Sequence, residues 1–204
     1  MKRMYITAMP LQSNFRGVTA WPVNPVNFTL RGLVKESAFP IVPIVAETAQ
    51  PSDEVIVLVV RQQNEPQNVN LDLLKQELEA LQLERLEIRD VAMPETQEKN
   101  ALFAMFSRLL DQVEDNACYY ACMTYGTKTY PLLLFGVLSY VDKLLENTSV
   151  KGIYYQELLR KDGVAVEAKL YDMTGLFSLN AVIDAVAELD GDNKTEMIRM
   201  LLNG

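Results

Sequence analysis

The sequence predicts an α/β chain with a Rossmann-like, mainly parallel sheet covered by helices on both faces. Three observations carry this. Residues 55–60 are six consecutive Val, Ile and Leu residues, the mark of a strand buried on both faces. Leu71, Leu74, Leu78 and Leu81 then recur at three and four, giving an amphipathic helix over 70–82. Further strand-like and helix-like segments alternate after them, which is the pattern of a doubly wound fold. The 204 residues fit one domain over 1–190 with a helical tail over 191–204.

Residues 4–9 alternate loosely and stop at Pro10, a first strand running into a loop. Residues 12–37 carry turn residues at short intervals around Gly17, Pro22, Asn24, Pro25 and Gly32, so an irregular excursion or hairpin is expected there. Residues 39–48 read as a short buried helix whose start is limited by Pro40 and Pro43. Past the leucine-spaced helix, 86–91 is a strand. A helix with Leu102, Phe103, Phe106, Leu109, Leu110 and Val113 on one face follows. Strands are then expected at 119–123, 152–155 and 166–171, an apolar helix at 131–145 and a last helix at 179–189. Asp190, Gly191, Asp192 and Asn193 break the chain before one or two further helical turns.

Composition narrows the chemistry. The formal net charge is −8, which argues against a duplex nucleic-acid partner, since that needs a basic face. Histidine is absent, removing the usual metal ligand and neutral-pH general base, and two cysteines cannot build a zinc site; no metal and no cofactor are expected. Cys118 and Cys122 lie four apart on one extended segment and face the same side, too far apart to be joined, so they read as reduced core residues. No apolar run reaches the length of a membrane span or a signal-peptide core, and the expectation is a soluble, cytoplasmic protein without a membrane partner.

The most informative segment is 117–131, where an apolar strand enters a Thr-Tyr-Gly-Thr-Lys turn that opens a helix. Free N–H groups at a helix start, the helix dipole and the close approach that Gly126 allows make such a turn suited to phosphate. Lys128 adds a positive charge, and Thr124, Thr127 and Thr129 add hydroxyls. The alternative is structural: Gly126 permits a tight strand-to-helix turn and the threonines cap the helix. In open α/β sheets ligands bind beyond the carboxyl ends of the strands. Three loops should therefore converge: Met9, Pro10, Leu11 and Gln12; residues 93–100, with Pro94, Glu95 and Thr96; and Thr124, Tyr125, Gly126, Thr127, Lys128 and Thr129.

The order and content of these loops resemble the CARF domain, the CRISPR-associated Rossmann fold that senses cyclic oligoadenylates in type III CRISPR antiviral defence. The likeness is most specific over residues 88–155. Thr124, Gly126, Lys128 and Pro131 match the family's turn, and the strand Gly152, Ile153, Tyr154, Tyr155 and the element Tyr171, Asp172, Met173, Thr174 add to it, while the first 50 residues match only loosely. The resemblance implies a homodimer whose two-fold axis passes through the ligand pocket, with the three loops as its walls. The apolar segment 132–141 then serves either as interface and core or as core alone.

Three roles stay open. The first is a stand-alone sensor that binds a cyclic oligoadenylate and passes the signal to an effector protein. The second is a ring nuclease, in which a substrate 2′-hydroxyl attacks the neighbouring phosphate without a metal while Lys128 and backbone N–H groups stabilise the charge. The third is the sensor part of a longer effector, with the tail beginning a connector helix. The family's HEPN ribonuclease needs a histidine that this chain lacks. A metal-dependent nuclease has only Glu167, Lys169 and nearby Asp162 to offer, and 161–163 reads better as a turn.

Overall fold

The computed structural model describes residues 1–11, 17–189 and 193–203. Gln12 and the breaker residues Asp190, Gly191 and Asp192 lie outside the described residues. The elements are β1 (Lys2–Ala8), β2 (Trp21–Pro22), β3 (Glu36–Ser37), α1 (Ile41–Thr48), β4 (Glu54–Arg61), α2 (Glu65–Glu79), β5 (Arg85–Ala92), α3 (Lys99–Leu110), β6 (Ala117–Cys122), α4 (Tyr130–Leu144), β7 (Ser149–Lys161), β8 (Val164–Asp172), α5 (Thr174–Ala187) and α6 (Lys194–Asn203). Six strands form one sheet in the order β5-β4-β1-β6-β7-β8, parallel except for β8. This is the α/β, Rossmann-like arrangement the sequence predicts. The chain steps outward from β1 to β4 to β5, then crosses back to place β6 on the other side of β1. The switch point is therefore the crevice between β1 and β6.

Side-chain alternation through the central strands builds two cores. Met4, Ile6, Ile56, Leu58, Tyr119 and Ala121 face α3 and α4, while Tyr5, Val55, Val57, Val59, Tyr120 and Cys122 face α1 and α2. Each buried Val, Leu or Ile is worth about 1.5–3 kcal/mol of transfer free energy, so the strands buried on both faces hold most of the stability. In α2, Leu71, Leu74 and Leu78 are buried as their spacing predicts, but the helix starts at Glu65, because Asn64 accepts from the Gln67 N–H as an N-cap and a proline follows in the first turn. In α3 the buried stripe is Met105 and Leu109 with Phe106 packed beside it. Phe103, expected on that face, points outward and carries the Lys99 ammonium 5.4 Å from its ring centre.

The largest departure from the sequence reading is at β7 and β8. The two expected short strands are one antiparallel hairpin, paired from Tyr154–Asp172 out to Lys161–Val164 and turned through Asp162 and Gly163, both with positive φ. A two-residue loop with positive φ at both positions matches the right-handed twist of a hairpin. Because β6 ends where Cys122 pairs with Tyr154, nearly the whole hairpin stands beyond the carboxyl end of the parallel sheet as an arm. The excursion braces its base: the Leu170 N–H donates to Asn24 O at 2.8 Å, the Val26 N–H to Leu170 O at 3.0 Å, and Asn27 exchanges two bonds with the Asp172 backbone.

Candidate functional site

The carboxyl ends of β1, β5 and β6 bring the three predicted loops to one face of the molecule. The Met9 N–H donates to Val60 O and the Met93 N–H to Arg61 O, extending the parallel ladder by one residue before each loop leaves the sheet. Met9 is fully enclosed and Pro10 is buried, so the β1 loop presents Leu11 to solvent. In the β5 loop Pro94 is half-buried, and Glu95 and Thr96 are exposed.

Within the Thr124–Lys128 turn the side chains divide sharply. The Thr124 hydroxyl accepts from the Gln156 N–H at 2.8 Å and lies 3.2 Å from the Cys122 sulfur, so it ties the turn to the base of the arm. Burial pushes the Cys122 thiol up, against the opposing pull of its Thr124 contacts, which keeps it protonated and inert. Cys118, on the same face, is only half-buried. The Tyr125 hydroxyl donates to Ala38 O at 2.9 Å and its ring packs against both cores. Gly126 has φ +102°, and a Cβ there would stand 3.1 Å from the Ala8 Cβ and 3.2 Å from the Tyr130 Cβ, so only glycine lets the turn seat on the end of β1. Three of the five residues of the turn thus hold the crevice in shape.

The threonines do not cap α4. Thr129 sits at the N-cap with helical backbone angles and makes no side-chain cap bond; its hydroxyl instead donates to Gln97 Oε1 and lies 3.0 Å from that of Thr127. This hydrogen bond joins the β5 loop to the turn. The Tyr130 N–H is taken by Thr127 O and Pro131 has none to give. Among the described residues nothing accepts from the N–H groups of Tyr125, Gly126, Thr127 and Lys128, and the Lys128 ammonium is exposed with no partner. Such a run of N–H groups beside an exposed cation, in front of a helix start, has the chemistry that suits an anion. Beside it, Gln156 is 8 % exposed, and among the described residues its Nε2 has no acceptor.

Sequence reasoning missed the contribution of the β4 loop. A cleft of about 380 Å³ opens between the ends of β4 and β5, lined by Gln62, Gln63, Asn64, Ala92, Met93 and Glu95. The missed signal was the run of three carboxamides directly after a buried strand. The buried Arg61 guanidinium next to it is not available for a ligand, being bonded to Asp90 at 2.6 Å and to Asn68 at 2.8 Å. Among the described residues no group of three or more His, Cys, Asp and Glu side chains could hold a metal ion; Asp162 lies in the arm's turn and Glu167 on its outer strand. Compared with known proteins, the chain matches no family model and no curated protein.

Proposed function

We propose that the chain is a CARF-type sensor that binds a cyclic oligoadenylate at the β1/β6 switch point as a homodimer. The observation that supports this reading best is the N–H run of residues 125–128 with the Lys128 ammonium beside it, none of which has a partner among the described residues. A phosphate is the ligand that satisfies a row of N–H donors and a cation together. In a chain of net charge −8 this local site recruits an anion that the protein as a whole repels.

A ring of repeated nucleotides suits a two-fold pocket, and exposed apolar residues on the rim of this face support a second copy there. Phe103, Leu132 and Leu176 stand within the first five residues of α3, α4 and α5 at 61 %, 76 % and 54 % exposure, and the arm rises beyond the same end of the sheet. Exposed apolar residues grouped beside a site mark an interface. The test is titration of the pure protein with cyclic tri-, tetra- and hexa-adenylate in a calorimeter, followed by chromatography of the nucleotide. One ring bound per two chains is the expected result, and no binding of any ring overturns the reading. Linear products carrying a cyclic phosphate would move the assignment to ring cleavage.

A further inference from the structure

We propose that the outer edge of β5 pairs antiparallel with the same edge of a second copy, joining two sheets into one across a two-fold axis at Ile88. This contact is separate from the carboxyl-end face and does not depend on the ligand proposed there. The sheet has two edges, β5 and β8, and they are finished differently. The β8 edge is taken at its base by residues 24–26, through the two backbone bonds to Leu170, and the arm beyond carries a register shift at Leu159 and Arg160. Nothing similar protects β5. Arg85–Ala92 is eight residues without proline, glycine or a register shift. The Met93 N–H donates inward to Arg61 O, and in a parallel ladder alternate residues turn both backbone groups the same way. Residues 85, 87, 89 and 91 therefore bond to β4, while Leu86, Ile88, Asp90 and Ala92 turn theirs outward. The Arg108 guanidinium agrees, donating to Ala92 O from outside at 3.0 Å. Among the described residues nothing takes the outward N–H groups of Leu86, Ile88 and Asp90. Such an edge is a template for another strand.

Charge selects a second copy as that strand. Charges on an edge repel a newcomer only where the signs match. On β5, Glu87 and Arg89 flank Ile88 with opposite signs, so a two-fold axis at Ile88 sets Glu87 of each copy directly opposite Arg89 of the other. These are the non-hydrogen-bonded positions, where side chains lie closest. Arg89 already forks to Glu87 of its own chain and is held from behind by Glu114, so the exchange leaves every ion paired. The outward backbone groups of Ile88 meet those of the other Ile88, and those of Leu86 meet those of Asp90, whose carboxylate stays with Arg61. Room for the second strand exists on both sides. A cleft of about 410 Å³ lined by Lys75, Glu79, Leu83, Glu84, Leu86 and Ile88 opens on the α2 side, and one of about 270 Å³ that includes Asp90 and Arg108 opens on the α3 side. Leu86 and Ile88 are half-buried, and the pairing completes their cover.

The experiment is disulfide capture in the 204-residue chain without nucleotide. In a hydrogen-bonded antiparallel pair the Cα atoms lie about 5.5 Å apart, within the span of a disulfide. Ile88→Cys should give a covalent dimer on mild oxidation with diamide. Leu86→Cys lies on the same face of β5 but opposite Asp90, so it should link no more than the wild type with its Cys118 and Cys122. Glu87→Arg added to Ile88→Cys should cut linking about ten-fold, because like charges then oppose each other at both ends of the contact. Arg89→Glu should do the same, and a mixture of the two should link again, since each chain supplies the sign the other lacks. If Arg89→Glu fails to fold beside Glu114, Glu87→Arg decides alone. An Ile88→Cys chain that stays monomeric, or that links no better than Leu86→Cys, overturns the edge pairing. Linking that Glu87→Arg leaves unchanged overturns it as well, because the charge match would then play no part.

Discussion

The two ends of the sheet handle their polar groups in opposite ways. At the amino end a cluster of charges is spent on neighbours. Asp53 is 6 % exposed and is held by Arg3 at 2.6 Å, by the N-terminal ammonium at 2.8 Å and by the Gln50 N–H at 2.9 Å, and Arg3 also reaches the Tyr120 hydroxyl. Beside it Glu114 is shared between Lys2 and Arg89, and Arg89 also forks to Glu87. At the carboxyl end the N–H groups of 125–128, Lys128, Gln63 and Glu95 have no partner among the described residues. One end is closed by ion pairs and secures the fold; the other leaves donors and acceptors unpaired where a ligand can meet them. Substitutions at the two ends should therefore separate stability from binding.

The largest effect belongs to the closed end. Asp53→Asn leaves Arg3 largely buried without its counter-charge, and breaking such a pair costs about 3–5 kcal/mol. Burial alone would raise the Asp53 pKa, but the Arg3 guanidinium, the N-terminal ammonium and the Gln50 N–H outweigh it and hold the carboxyl far below its usual range. A carboxylate depressed on folding contributes stability in full above its unfolded value of about 3.9, and loses it as pH falls further. Urea unfolding should show the wild type well above Asp53→Asn at neutral pH, with the gap closing below about pH 4. Ring affinity per folded molecule should not change; a variant as stable as the wild type would break the contrast between the ends.

Lys128→Ala is the mirror case. An exposed lysine with no partner among the described residues contributes nothing to packing, so the urea midpoint should stay in place. Removing a charged hydrogen bond to a bound phosphate should cost about 1.5–3 kcal/mol of binding, roughly ten- to a hundred-fold. That loss should fade at high salt, because added ions screen the attraction in the wild type. Unchanged affinity in the folded variant would remove the turn from the site.

Much of the fold was legible in the sequence, while the ion pairs of the closed end left no mark in it. The apolar run of β4, the leucine spacing of α2 and the strand-to-helix turn at Gly126 lie in the structure where the sequence puts them. The arm was not legible. Residues 156–168 mix charged and apolar side chains with no settled face because the segment stands beyond the sheet with little core to pattern it, so its length and antiparallel pairing left no period to read. Phe103 misled for a related reason: its ring has the spacing of a core residue while the smaller Met105 fills the core. Within the site, the sequence named the loops but could not tell a hydroxyl already engaged, as at Thr124, from a donor still open.

Gly126→Val should be felt at both ends of this comparison. The valine methyls would press on Ala8 and Tyr130 and the backbone would be strained at φ +102°, together about 1–3 kcal/mol of stability. Binding should fall as well, since the same side chain stands where the backbone must approach the phosphate. A loss of stability with unchanged affinity would make Gly126 a packing residue alone.

The smallest effect tests whether the two halves of the open end act together. Thr129→Val keeps the side-chain shape and removes only the hydroxyl that donates to Gln97, so the β5 loop loses its tie to the turn. A net hydrogen bond of this kind is worth about 0.5–1.5 kcal/mol. If the loop is held in place for a ligand that touches both the turn and the cleft, ring affinity should drop by a few-fold. Unlike the loss at Lys128, this drop should be insensitive to salt, because no charge has been removed. It should also shrink when combined with Glu95→Gln, since the tie matters to binding only while Glu95 contributes; the double-mutant cycle measures that coupling. Strict additivity of the two substitutions would mean that the turn and the cleft work as separate surfaces.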